Sequence, residues 1–156
     1  MRFPWLALFQ RSSIKATSDV LQVPVVLQKT TSDCGVACVQ MMLDYHKMNT
    51  RGILSLSSTI DGLQVRTIES FLREKGFSVV AGNMNLDFIK YCIKNKIPVI
   101  TLLDNHYIII KGFQNRKILY NDPEKGEMSE SVIKFNKRWF NISDGAHLIN
   151  WGITAW

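Results

Sequence analysis

A thiol attacks a carbonyl as its thiolate, and of the three cysteines in this chain Cys34 lies where a negative charge is stabilised. It follows Thr30-Thr31-Ser32-Asp33, residues with turn and N-cap chemistry, and precedes the apolar run Val36-Ala37-Cys38-Val39, continued by Met41-Met42-Leu43. Cys34 therefore falls on the first turn of a predicted helix, where the macrodipole and unpaired backbone N–H groups favour an anion. Gly35 beside it lets another stretch of chain come close. Cys38, one turn further in, and Cys92, beside Tyr91 on a later helix, have neither a helix terminus nor a charged neighbour and read as small core residues. Cys34 and Cys38 could share a metal with a histidine, but third and fourth ligands are wanting and there is no C-x-x-C pair, so neither a metal nor another cofactor is expected.

A nucleophilic thiol needs a base, and the base needs an orienting acceptor. The candidates are His46, His106 and His147. His46 ends the same helix as Cys34, roughly 18 Å away at ~1.5 Å per residue, which is out of reach. His106 opens a strongly apolar strand after the turn pair Asp104-Asn105, and pairing across a turn at Gln114-Asn115 sets it roughly opposite Asp122. The acid can then fix the imidazole. His147 opens a last strand with no carboxylate predicted opposite, and reads as a surface or core histidine; Asp122 without its partners would be an ordinary turn aspartate before Pro123. Gln28 stands six residues before Cys34, and its amide with the Cys34 N–H would make a two-donor oxyanion hole. Each feature is weak singly; their joint occurrence points to acyl transfer.

These residues need a frame. Val23 to Leu27 reads as a short strand, Cys34 to Tyr45 as the central core helix, and Asp61 to Lys75 as a second helix stopped at Gly76. A strand, Phe77 to Ala81, a helix from Leu86 to Lys94 capped by Asn85, and a β-branched strand, Ile97 to Leu103, follow. His106 to Phe113 and Arg116 to Tyr120 are strands, Asp122 to Gly126 is a turn, Ser131 caps a short helix through Phe140, and His147 to Trp156 closes the chain as a strand. Helices first and strands later make an α+β fold, its N-terminal helical half packed on an antiparallel sheet.

The 156 residues suit one domain, 23–156, behind an extension, 1–22, whose Phe3 to Phe9 reads as a short amphipathic arm. The longest apolar stretches, Ile97 to Leu103 and Tyr107 to Ile110, are far shorter than the ~18 residues that span a bilayer. Three cysteines, an odd number, suggest free thiols in a reducing compartment. A net charge of +6, densest at Lys90 to Lys96 and Lys134 to Arg138, favours acidic partners, but no nucleic-acid motif accompanies it and nucleic acid is not expected.

The pieces Val23-Pro24-Val25-Val26-Leu27-Gln28, Asp33-Cys34-Gly35-Val36-Ala37-Cys38, His106-Tyr107-Ile108-Ile109-Ile110 and Asp122-Pro123-Glu124-Lys125-Gly126 stand in the order found in the bacteriocin-processing, double-glycine leader peptidases, which the chain resembles over about residues 23 to 142. Those are papain-like cysteine peptidases, usually fused to the N-terminus of peptide-exporting ABC transporters. Carried over position by position, the resemblance implies Cys34 as nucleophile, His106 as base and acid, Asp122 as its orienter and Gln28 as oxyanion donor. The residues taken alone name the same four. It further implies a precursor peptide with an amphipathic leader helix, cleavage after a Gly-Gly or similar small-small pair, an ABC exporter as partner, and a cytoplasmic location, free or at the cytoplasmic face of the inner membrane. A monomer is expected. Thr50 to Gly62 is short where relatives carry a longer helix and loop, and Phe140-Asn141 follows Trp139 where they tend to have a small residue and glycine, so substrate choice is less fixed than chemistry. With no membrane or ATPase part after Trp156, either a stand-alone peptidase or a fragment is expected, and Met1 and the end at Trp156 favour the first. The rival readings are a leader-binding module that does not cut and a papain-like peptidase or amidase of other specificity.

Overall fold

A computed structural model describes residues 19–56, 62–139 and 149–156. The element order is β1 (Asp19–Val20), α1 (Cys34–Tyr45), a 3-10 turn (Ile53–Leu56), α2 (Val65–Glu74), β2 (Val79–Asn83), α3 (Leu86–Lys94), β3 (Val99–Leu103), β4 (His106–Gln114), β5 (Lys117–Asp122), β6 (Gly126–Ser131), α4 (Val132–Trp139) and β7 (Trp151–Ala155). All strands join one antiparallel sheet in the order β2-β7-β3-β4-β5-β6, with β1 on β4 beyond the end of β3. This is the expected α+β architecture.

α1 is buried round most of its circumference: Cys38, Val39, Met41, Met42 and Leu43 are all closed to solvent. It packs on β4, the strand that begins with His106. Gly35 makes that approach possible, because a Cβ there would lie 3.0 Å from Leu63 Cβ and 3.1 Å from Tyr107 Cδ2. α2 ends as its glycine predicts. The Gly76 N–H bonds to Arg73 O, the Phe77 N–H to Leu72 O, and Gly76 has a φ of +92°, which together form a Schellman stop. Asn85 Oδ1 accepts the Phe88 N–H at 2.8 Å and Ser131 Oγ the Lys134 N–H at 3.2 Å, so both expected caps are present.

Several expectations need correction. Val23 to Leu27 is not a strand: Pro24 has no N–H to give a ladder, and the carbonyls of Val23 and Pro24 accept from the Asn121 side chain instead. The sheet pairing lies just upstream, Asp19 against Phe113 and Val20 against Gly112. β6 has no sequence counterpart, because Gly-Glu-Met-Ser-Glu-Ser lacks the β-branched and aromatic residues that mark strands, yet it pairs with β5 along its whole length. The turn between β4 and β5 is Asn115-Arg116, with φ of 50° and 62°, not Gln114-Asn115. α2 begins at Val65, with Asp61 outside the described residues, and β2 runs two residues later than expected. The arm Phe3 to Phe9, Phe140 and His147 also lie outside the described residues. Among those described, no helix is long and apolar enough to cross a membrane.

Candidate active site

Cys34 is the first residue of α1 and is buried, and His106 is the first residue of β4, immediately after the Asp104-Asn105 turn. Packing of α1 on β4 brings the two together, close enough for thiol and imidazole to shift each other's ionisation. On the far side of the ring, His106 Nε2 meets Asp122 Oδ1 at 2.7 Å. Since Nε2 is engaged there, Nδ1 is the nitrogen left for sulfur.

The route to that contact differs in detail from the sequence reading. Ile109 faces Asn121 across the β4–β5 ladder, and the register slips by one residue between Ile110 and Gly112. Asp122 therefore stands across from Ile108 rather than His106. His106 is two residues further along the same face, within diagonal reach for a long side chain. Asp122 is also held by its own turn: its Oδ1 accepts the Glu124 N–H at 2.8 Å and its carbonyl the Lys125 N–H at 3.2 Å. The His106, Asp122 and Glu124 ligand atoms lie within 4.8 Å of one another, and Asp122 Oδ1 there already bonds His106 Nε2 and the Glu124 N–H.

The electrostatics of the three groups agree. Burial raises the Cys34 thiol, but the hydrogen bond from His106, backbone bonds from Tyr107 and Gly35, and the imidazolium charge outweigh it and hold the group below its ordinary 9.0. The bond to Cys34, opposed by burial and joined by the bond and charge of Asp122, lifts His106 from 6.5 to about 9. Asp122 resists burial through His106 and its turn N–H groups and stays below the usual carboxylate range. A lowered thiol facing a raised imidazole is the combination that favours a thiolate–imidazolium couple over the neutral pair. Cys38 is fully buried and, by that burial and the nearby Cys34 and Asp122 charges, pushed well above 9.0; burial also raises Cys92. Neither thiol is poised to react.

Gln28 is half-buried. Its N–H bonds to Pro123 O at 2.8 Å, beside Asp122, and its Nε2 gives one hydrogen to Thr30 O at 2.9 Å. A second Nε2–H remains, and Oε1 is buried without a partner among the described residues. His46 caps the far end of α1, edge-on to Phe77 at 5.2 Å, away from the site as its position predicts. Two contributors carry weaker sequence signals. Asn121, wholly buried, gives its Nδ2 to Val23 O at 2.9 Å and so ties the segment that carries Gln28 to the strand that carries Asp122. An asparagine inside an apolar strand is the signal that marks it. Tyr107 gives a backbone bond to Cys34 and its hydroxyl to Leu63 O at 2.8 Å, and only its place next to His106 hints at that.

A cysteine on the first turn of a core helix, facing a histidine and a carboxylate carried by an antiparallel sheet, is the layout of the papain-like cysteine peptidases. The chain belongs to the Peptidase C39 family, whose model matches residues 22–143, and is a cysteine peptidase. Among curated proteins it is 24% identical over 131 residues to the lactococcin-G-processing and transport ATP-binding protein LagD of Lactococcus lactis subsp. lactis, covering 76% of this chain and 18% of that protein. It is 26% identical over 113 residues to the sublancin-168-processing and transport ATP-binding protein SunT of Bacillus subtilis (strain 168), covering 66% of this chain and 16% of that one. The chain thus spans less than a fifth of the length of these relatives. Among solved structures, a double glycine motif protease from an AMS/PCAT transporter, in complex with the leader peptide, superposes with a TM-score of 0.70 at 20% identity over 87% of this chain and 93% of that one, a likeness of fold.

Proposed function

We propose that this peptidase removes leader peptides from secreted peptide precursors, cutting after a Gly-Gly or similar small-small pair by way of a Cys34–His106–Asp122 triad and a thioester. The observation that carries the reading is the His106–Asp122 bond at 2.7 Å beside Cys34 at the start of α1, with the thiol lowered and the imidazole raised. Its specificity rests on family membership, on relatives named for bacteriocin processing, and on a structural neighbour described as a double-glycine protease.

In this mechanism the Cys34 sulfur attacks the scissile carbonyl, and the oxygen takes up the negative charge between the Cys34 N–H and the remaining Nε2–H of Gln28. The His106 imidazolium gives its proton to the leaving amine as the C–N bond breaks, which leaves a thioester and a neutral ring. Water then adds to the thioester while His106 takes its proton, and collapse of that intermediate expels the Cys34 thiolate, restores the ion pair and releases the carboxylic acid, which gives its proton to solvent. Asp122 keeps the ring aligned throughout. The precursor peptide and a peptide-exporting ABC transporter are the partners this reading proposes, with the +6 charge suited to acidic residues in the leader.

The test is a panel of leader peptides ending in Gly-Gly, Gly-Ala or a bulky pair, offered to the wild type and to Cys34→Ala, with fragment masses recorded. Cleavage after the small pair, absent in Cys34→Ala, is the expected result. An intact panel with a Cys34 that still alkylates readily at neutral pH would mean a different substrate, and an inert Cys34 would mean binding without cleavage.

A further inference from the structure

Asp33 occupies the N-cap of α1, yet its side chain makes no cap hydrogen bond. An aspartate at this position ordinarily turns its carboxylate forward onto the backbone N–H two or three residues ahead. Here it turns back: Asp33 Oδ2 accepts the Thr30 N–H at 3.1 Å, while the Asp33 N–H bonds to Thr30 O at 3.3 Å. The four residues 30–33 are closed by two reciprocal bonds. The same Thr30 carbonyl receives Gln28 Nε2 at 2.9 Å. A single oxygen is therefore held by the helix start on one side and holds the Gln28 amide on the other.

We infer that Asp33 is a positioning residue for the oxyanion site: by clamping Thr30 it fixes the carbonyl that orients the Gln28 amide relative to the first turn of α1. This rests on the proposed role of Gln28 as oxyanion donor. The backbone of Gln28 is already anchored to Pro123 O at 2.8 Å, but that bond fixes where the residue begins, not where its flexible side chain ends. The end is fixed through Thr30 O, and Thr30 is exposed, with the Asp33 carboxylate as the side-chain acceptor for its N–H. The backward turn has a second consequence. A forward cap would place a carboxylate on N–H groups of the helix start, where its charge would oppose both the thiolate and an oxyanion; the Asp33 side chain makes no such cap bond and accepts from Thr30 N–H instead.

Two reagents separate this role from a general one. Acylation of Cys34 by N-acetyl-Gly-Gly p-nitrophenyl ester passes through a tetrahedral oxyanion, whereas alkylation by iodoacetamide needs the thiolate alone. Asp33→Ala is expected to slow acylation about tenfold or more, toward the rate of Gln28→Ala, with no further loss in the double variant and alkylation within about twofold of wild type. Asp33→Asn keeps an oxygen that can accept from Thr30 N–H and is expected to recover most of the acylation rate. Normal acylation in a folded Asp33→Ala, with Gln28→Ala slow, overturns the inference and leaves the oxyanion role of Gln28 standing. Normal acylation in Gln28→Ala overturns that role and the inference together. Equal loss in both reagents, in Asp33→Ala and Asp33→Asn alike, assigns Asp33 to the thiolate or the fold instead; thermal melts of each variant complete the comparison.

Discussion

Cys34 and His106 stabilise each other's charged forms, and the pH behaviour of the site follows from that coupling. His106 keeps its proton up to about 9, and Cys34 ionises at lower pH than an ordinary thiol. Iodoacetamide should accordingly modify Cys34 at a rate that is nearly flat through neutral pH, well ahead of Cys38 and Cys92, both buried and both raised. A peptide-mapped rate rising tenfold per pH unit through pH 8 would mean that Cys34 is an ordinary neutral thiol. Asp122→Asn removes one of the causes that lift His106, so the alkaline limb of kcat/KM should move down from about 9 while the rate falls about tenfold or more. The same shifts set stability. His106 is raised, so its contribution is complete below 6.5 and fades as pH climbs through about 9; Asp122 is lowered, so its contribution is present above 3.8 and fades as pH falls below that. Cys34 is lowered, so its contribution grows toward 9.0 and offsets the alkaline loss from His106; melting temperature should therefore fall at the acid end, and less steeply there in Asp122→Asn.

At the scale of elements, the site depends on how closely α1 and the β3–β4 hairpin are held. Gly35→Ala places a methyl group 3.0 Å from Leu63 Cβ and 3.1 Å from Tyr107 Cδ2, so α1 must lift from β4 where Cys34 meets His106. A loss of about 1–3 kcal/mol in urea unfolding, with a larger fractional loss of cleavage, is expected. Arg138 on α4 bonds Asp104 of the hairpin turn and Glu130 of β6, each at 2.7 Å, and Glu130 also accepts from Tyr120 at 3.0 Å. Arg138→Met leaves the 7% exposed Glu130 carboxylate without its cation and should cost about 2 kcal/mol, read from the urea midpoint at constant slope. Helices with sharp signals were legible at this scale: the bounds of α1 and α3 follow from Asp33, Asn85 and their apolar runs, and the end of α2 from Gly76. The strands were legible where β-branched residues mark them, as in β3 and β4, and not where polarity hides them, as in β6. Cys34, His106 and Asp122 could be grouped because turns at Asp104-Asn105 and Asp122-Pro123 limit where the two side chains can be. The β4 bulge could not be read, since nothing in Ile110-Lys111-Gly112 signals an extra residue before pairing is known.

For the whole molecule, the telling feature is the place of β7. It is the last strand in sequence but lies between β2 and β3, paired with Val79–Asn83 on one side and Val99–Thr101 on the other. Among the described residues β2 pairs in the sheet with β7 alone, so its place in the sheet depends on β7. Trp151 and Ile153 are buried, Trp139 Nε1 gives its hydrogen to Trp151 O at 3.3 Å, and Thr154 Oγ1 to Pro98 O at 3.0 Å. The two large side chains alone contribute about 3–6 kcal/mol by burial, comparable with the ~5–15 kcal/mol that holds a domain of this size together. The family match ends at residue 143, yet β7 beyond it belongs to the same sheet and packs beside Tyr107, whose ring meets Trp151 edge-on at 6.1 Å. Deleting 151–156 should therefore abolish cooperative unfolding and Cys34 reactivity together, since β2 loses its ladder and Tyr107, which gives a backbone bond to Cys34, loses the indole against it. Trp151→Phe keeps the strand and a ring in contact and should retain the melt with a loss of about 1–2 kcal/mol. A deletion variant that still melts cooperatively and alkylates at the wild-type rate would show that β2 and β7 form an accessory layer, and that α1 with the β3–β6 meander is enough to assemble the site.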